Sequence, residues 1–252
     1  MAEGINWSVG ALKLLVSVRG AEEAVSAWRG GAHIIDVKNP AEGSLGANQP
    51  WVIARVREVI PNSIEMSATI GDLPCLPGTA SLAALAAARC GAHYVKAGIL
   101  DGDPSNVKRI LSCIRKALDW GAPGSKLIAC GYGDFEKIGT LDVCELTRVA
   151  SNCGCDGILI DLQQKRGESV LDVLGTERLF DVSRICHASG MILGIAGGLG
   201  EDHVEVVRSL GADVFGVRAS VCRSGDRLRG CVDEDLVRQL SHRVMAGERE
   251  AP

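Results

Sequence analysis

The sequence predicts a single-domain α/β protein folded as a (β/α)8 TIM barrel, and three features of its 252 residues carry that prediction. Short runs rich in Val, Ile and Leu alternate with longer segments of helical period, the pattern of repeated βα units around a parallel sheet. Eight such pairs can be counted, which suits a closed barrel better than an open doubly wound sheet of about five or six strands. A recurring punctuation, Gly31-Ala32, Gly91-Ala92, Gly154-Cys155 and Gly211-Ala212, ends a helix and leads into the next strand, as a C-cap glycine does.

Taken in order, the strand candidates are 12–18, 33–37, 64–70, 92–96, 126–130, 157–161, 191–196 and 213–217, with starts 21 to 34 residues apart. Each is short and mostly apolar, as a strand covered on both faces requires. The helix candidates that follow them are 21–29, 51–59, 79–90, 106–119, 140–153, 177–188, 201–210 and 233–244. Thr79, Asn106 and Thr140 stand near expected helix starts, where a short polar side chain can satisfy an orphan amide. The third helix carries Ala80, Ala83, Ala84, Ala87 and Ala88, small residues suited to close packing of a helix on a sheet. No linker or composition shift divides the chain, so residues 1–252 form one expected domain with short flexible ends at about 1–10 and 246–252.

Hydrophobic residues make up 46% of the chain and charged residues 23%, ordinary values for a soluble globular protein with a sizeable core. The net charge of −4 argues against a nucleic-acid partner, whose binding rests on many phosphate-neutralising cations, and points to a small-molecule partner instead. The ten cysteines are scattered through apolar segments, and the N-terminal stretch lacks a basic leader and is interrupted by Lys13, so a reduced cytoplasmic setting is expected. Cys153 and Cys155, the closest pair, have no neighbouring Cys-x-x-Cys or His pair, and no metal is expected. The longest apolar run, 81–88, is far shorter than the roughly 20 residues of a membrane span. A homo-oligomer remains open on this evidence.

In such barrels the site forms at the C-terminal ends of the strands. Period-two alternation puts Asp36 and Lys38 on one face at the end of the second strand, and Lys96 shares a face with Tyr94 at the end of the fourth. Asp161 ends the sixth strand, with Lys165 four residues on. A buried lysine beside another cation loses proton affinity and becomes able to attack a carbonyl, forming a Schiff base that needs no organic cofactor. The second amine can then move protons, with Asp36 expected to balance the charge of Lys38 and orient it. Ordinary strand-end charges reaching solvent are the alternative account. For phosphate, Gly197 and Gly198 follow the seventh strand, and Arg218, Ala219 and Ser220 follow the eighth. Bare backbone in the first loop and the forked guanidinium in the second are expected to bind the anion.

Longer segments add a resemblance: Asp36-Val37-Lys38-Asn39-Pro40-Ala41-Glu42-Gly43-Ser44-Leu45-Gly46-Ala47-Asn48, Ser67-Ala68-Thr69-Ile70-Gly71-Asp72, Pro77-Gly78-Thr79, Gly131-Tyr132-Gly133-Asp134, and Gly216-Val217-Arg218 followed by Gly225-Asp226-Arg227. With these the chain resembles the (5-formylfuran-3-yl)methyl phosphate synthase family of methanofuran biosynthesis, from about Leu12 to Val244. The resemblance implies a lyase that joins two molecules of glyceraldehyde 3-phosphate into a furan aldehyde phosphate, releasing phosphate and water without a cofactor. It implies Lys38 as the Schiff-base lysine and Lys96 as the proton acceptor, with Asp36, Asp161 and Lys165 at polar positions of the site. Two rivals use the same features: a Schiff-base aldolase on triose or sugar phosphates, and a silent barrel that binds a phosphorylated metabolite.

Overall fold

The structure, a computed structural model, describes residues 12–246. The ends expected to be flexible, apart from residue 246, and the residue before Leu12 lie outside the described residues. Eight parallel strands close into a barrel in sequence order, with the last pairing the first. They are β1 (Lys13–Val18), β2 (Ile34–Val37), β3 (Glu65–Leu73), β4 (Tyr94–Ile99), β5 (Lys126–Tyr132), β6 (Gly157–Asp161), β7 (Ile192–Ile195) and β8 (Val214–Val217). The larger outer helices are α1 (Ala21–Arg29), α2 (Pro50–Val59), α3 (Pro77–Arg89), α4 (Pro104–Gly121), α6 (Val143–Asn152), α8 (Thr176–Ala188), α9 (Val204–Ser209) and α10 (Glu234–Ala246). Two short helices that periodicity did not indicate, α5 (Phe135–Ile138) and α7 (Val170–Leu174), sit in the loops after β5 and β6.

Alternation along each strand sorts the apolar residues into two layers. Outward residues such as Leu14, Ile35, Met66, Val95, Leu127 and Phe215 pack with the helices in one continuous core. Inward residues Tyr94, Ile128 and Leu159, with Leu15, Ile34 and Val214, fill the lower barrel. Full burial of one such side chain is worth roughly 1.5–3 kcal/mol, enough in sum to carry polar groups in the layers above. The alanines of α3 take the expected role, with Ala80, Ala84 and Ala87 buried. Among the described residues no helix is long and apolar enough to cross a membrane.

All three expected caps shift, Thr79 falling inside α3, whose N-cap is Leu76. Pro77 and Pro104 begin α3 and α4, because proline lacks the N–H that the first turn leaves unpaired. Asp103, rather than Asn106, caps α4 by accepting from the Ser105 amide at 2.8 Å. Asp142, rather than Thr140, caps α6, accepting from Cys144 and Glu145 amides at 3.0 and 3.1 Å. Three strands also run longer than their sequence pattern indicates, β3 to Leu73, β4 to Ile99 and β5 to Tyr132. The β3–β4 register shifts between Thr69 and Asp72, and this irregularity carries Asp72 up to the mouth of the barrel beside Tyr132.

Candidate active site

The register of the first three strands aligns Ser17, Asp36 and Ser67 side by side. Their side chains meet inside the barrel, with Ser17 Oγ donating to Asp36 Oδ2 at 2.9 Å and Ser67 Oγ donating to Asp36 Oδ1 at 2.7 Å. Lys96 reaches across from β4, and its Nζ lies 2.7 Å from Asp36 Oδ1. Burial by itself raises the Asp36 pKa, but the charges of Lys96 and Lys38 and the hydrogen bonds outweigh it and hold the carboxyl below its usual range. The expectation that Asp36 orients Lys38 is therefore corrected. Asp36 lies one layer beneath Lys38 on the same strand, at the level of Lys96, so the direct pair forms there and Lys38 feels only its charge.

Lys38 follows the end of β2 and faces an open cavity of about 400 Å³. Its Nζ donates weakly to the Ser44 carbonyl at 3.4 Å. Burial, foremost, lowers its pKa from 10.5 to about 8; Lys165 and Lys96 add to the depression, while Asp161 and Asp36 oppose it. Lys96 lines a separate void of about 30 Å³ lower in the barrel, among Ile34, Ile128 and Leu159. The two lysines thus share the barrel axis at different depths.

Asp161 ends β6 and pairs with Lys165, which the short loop returns to it and which also lines the large cavity. The Leu162 amide donates to Asp161 Oδ1 at 2.7 Å. Burial would raise the Asp161 pKa, but the charges of Lys165 and Lys38 and these hydrogen bonds bring it down to about 2.

A strap, residues 39–48, folds over this side of the site. The Asn39 amide donates to Gly46 O at 2.9 Å, and Thr69 Oγ1 donates to the same carbonyl at 2.7 Å. Ser44 Oγ reaches Leu162 O at 2.6 Å, and the Leu45 amide donates to the Asp72 carboxylate at 3.2 Å. Asp72 in turn accepts from the Tyr132 hydroxyl. Gly43 has a φ of +139°, and a Cβ there would lie 2.2 Å from Asp72 Oδ2, so only glycine fits. Ser17, Ser67, Ser44, Asp72 and Tyr132 were not picked out as site residues by charge or spacing; the signal was their place in the quoted segments or beside Asp36 in the barrel register.

At the far side, Gly198, Ala219 and Ser220 line the cavity. Gly197 instead sits beneath, its carbonyl accepting from the Val170 amide at 2.8 Å. Arg218 requires a larger correction. A guanidinium has five N–H donors, and here all are used within the protein. Nε donates to Arg227 O at 2.7 Å, Nη1 to Ser17 O at 2.8 Å and Glu23 Oε2 at 2.9 Å, and Nη2 to Glu23 Oε1 at 3.2 Å and Gly230 O at 3.3 Å. The side chain braces β1, α1 and the last loop, and its fork is not offered to a ligand. The Glu23 carboxyl, which burial would raise, is held below its usual range by Arg218. Among the described residues no group of three or more His, Cys, Asp or Glu is arranged to hold a metal.

Residues 14–241 match the family described as 4-HFC-P synthase. The chain is 42% identical over 230 residues to a (5-formylfuran-3-yl)methyl phosphate synthase of Methanosarcina acetivorans, covering 91% of this chain and 97% of that protein. It is 40% identical over 231 residues to the synthase of the same name from Methanopyrus kandleri, covering 91% and 97%. Among solved structures, 3-hexulose-6-phosphate synthase superposes with a TM-score of 0.64 at 18% identity, over 92% of this chain and 99% of that one. Phosphoribosyl anthranilate isomerase from Thermus thermophilus superposes at 0.57 and 13% identity, over 93% and 99%. These two likenesses speak for the barrel fold alone.

Proposed function

The chain belongs to the 4-HFC-P synthase family, and on that premise we propose that it condenses two molecules of glyceraldehyde 3-phosphate into (5-formylfuran-3-yl)methyl phosphate through a Schiff base on Lys38. The observation that carries this reading is the placement of a lysine amine of lowered proton affinity, pKa about 8, on the wall of the barrel-mouth cavity that Lys165 and the loop-seven and loop-eight backbone also line. An unprotonated amine adds to an aldehyde carbonyl, and loss of water gives the iminium. Removal of the adjacent proton leaves an enamine, whose carbon attacks the second aldehyde. Elimination of inorganic phosphate and of water, ring closure by a hydroxyl and release of the amine complete the aromatic furan, so no electrons enter or leave overall.

The remaining charged groups suit proton handling around that amine. The Asp161–Lys165 pair stands next to Lys38 in its electrostatic surroundings, where it is placed to exchange protons with substrate hydroxyls. Lys96, held by Asp36, lies deeper in the barrel than Lys38 and is the proposed proton acceptor.

Incubation with glyceraldehyde 3-phosphate, borohydride trapping and mass spectrometry test the reading. The expected result is an adduct on Lys38, together with a furan chromophore and inorganic phosphate. An aldol product without phosphate release marks a simple aldolase, and no adduct rejects the Schiff base.

A further inference from the structure

We infer that Arg227, in the loop between β8 and α10, is the guanidinium that binds the phosphate of the substrate; this rests on the reading above that the large cavity takes a phosphorylated aldehyde. Two arginines border that cavity, and their surroundings separate their roles. Arg218 has a buried counterion in Glu23 and no donor left over. Arg227 is half-buried on the same wall and forms no ion pair among the described residues.

The bonds Arg227 does make leave part of its guanidinium open. Only Nη2 is engaged, donating to Gly43 O at 3.0 Å and Pro40 O at 3.4 Å on the strap. Nε and Nη1 have no protein acceptor among the described residues, so their N–H donors remain open. Arg218 holds the Arg227 carbonyl at 2.7 Å, so the backbone that carries this side chain is itself tied down. Burial lowers the Arg227 pKa, and the nearby Arg218 charge adds to that; Asp161 and Asp72 only partly compensate. A desolvated cation without a counterion is costly, and a bound dianion offsets that cost with charge-assisted bonds. Lys165 lines the same cavity and supplies a second positive charge, while Gly198 and Ser220 bring backbone and a hydroxyl to its edge. A phosphate monoester matches this combination of open guanidinium N–H donors, one ammonium and small residues.

Calorimetric titration of the full chain with inorganic phosphate tests the assignment without depending on the chemistry at Lys38. The expected result is binding by the wild type that weakens at least tenfold in Arg227→Gln, with the thermal transition retained. Equal affinity in the two proteins, or no binding by the wild type, overturns it. Should Arg227→Gln not melt cooperatively, Arg227→Lys, which keeps the charge but not the planar fork, is judged by the same comparison: weakened binding supports the assignment and unchanged binding overturns it. Borohydride trapping on the wild type is scored separately. A Lys38 adduct with unchanged phosphate affinity in the variant removes the Arg227 role alone. A missing adduct with weakened affinity removes the Schiff base and keeps the anion site.

Discussion

Asp36 and Lys96 face each other at 2.7 Å with 0% and 3% of their side chains exposed, one layer below the amine that meets the cavity. Such a buried pair is a poor source of stability in itself, because desolvation offsets most of the attraction. Its removal by halves is another matter. Asp36→Asn leaves a buried ammonium without its counterion and two serine hydroxyls with a changed acceptor, and a loss of about 3–5 kcal/mol is expected. Urea denaturation at neutral pH measures it, and a loss below 1 kcal/mol would show that Lys96 finds another partner.

Lys38 predicts a pH dependence of reactivity. Its amine is freed with a midpoint near pH 8 rather than the 10.5 of an ordinary lysine, so borohydride trapping should climb through pH 8 and level off above it. A profile still rising at pH 10 would place the reactive amine elsewhere.

The same shift has a stability sign. The folded chain gives up the Lys38 proton near pH 8 while the unfolded chain keeps it to 10.5, so the unfolded state binds more protons between those values and stability contributed through this group rises with pH there. Below pH 8 the buried ammonium costs on the order of 3 kcal/mol. Lys38→Met is therefore expected to be more stable than wild type at pH 7, with the gap narrowing as the pH approaches 10.5. Paired denaturation curves at pH 7 and 10 decide this; a gap that widens with pH contradicts the burial argument.

Gly43→Ala tests the strap. The added methyl would stand 2.2 Å from Asp72 Oδ2 and occupy a left-handed φ, at a cost of about 1–3 kcal/mol. Because Ser44 carries the carbonyl that Lys38 touches, product formation is expected to fall at least tenfold while the circular dichroism of the barrel is unchanged. Wild-type turnover in this variant would mean the strap does not set the position of Lys38.

Arg218→Met tests the brace. With all five donors spent inside the protein, the arginine should act on stability first, and removing it leaves Glu23 buried beside Arg19 alone. A drop of about 3 kcal/mol or more is expected. A double-mutant cycle with Glu23→Gln checks the pairing, since independent effects would deny the coupling.

The barrel was legible because the strands are mostly apolar and several helices end on a recurring glycine, patterns fixed by local chemistry. The lysines and acidic residues were legible for the same reason: strand alternation alone puts Asp36, Lys38, Lys96 and Asp161 inside. What escaped was partnership. Asp36 meets Ser17 and Ser67 through the register of β1, β2 and β3 and Lys96 across the barrel from β4, and neither relation is written in a single strand. Arg218 looked like an anion binder from its position after β8, yet its guanidinium turns toward Glu23, nearly two hundred residues earlier in the chain. Asp72 and Tyr132 meet only because β3 and β5 continue past their apolar runs and a register shift lifts the first toward the second.

The strap lies early in the chain, but its fastenings come late. Ser44 is held by Leu162, and Gly43 by Arg227. A polypeptide emerging from the ribosome carries Lys38 long before either partner has been made, and until then that side chain is an ordinary, hydrated ammonium. The lowered proton affinity of Lys38, and with it the aldehyde capture proposed for it, therefore arises only in the completed molecule.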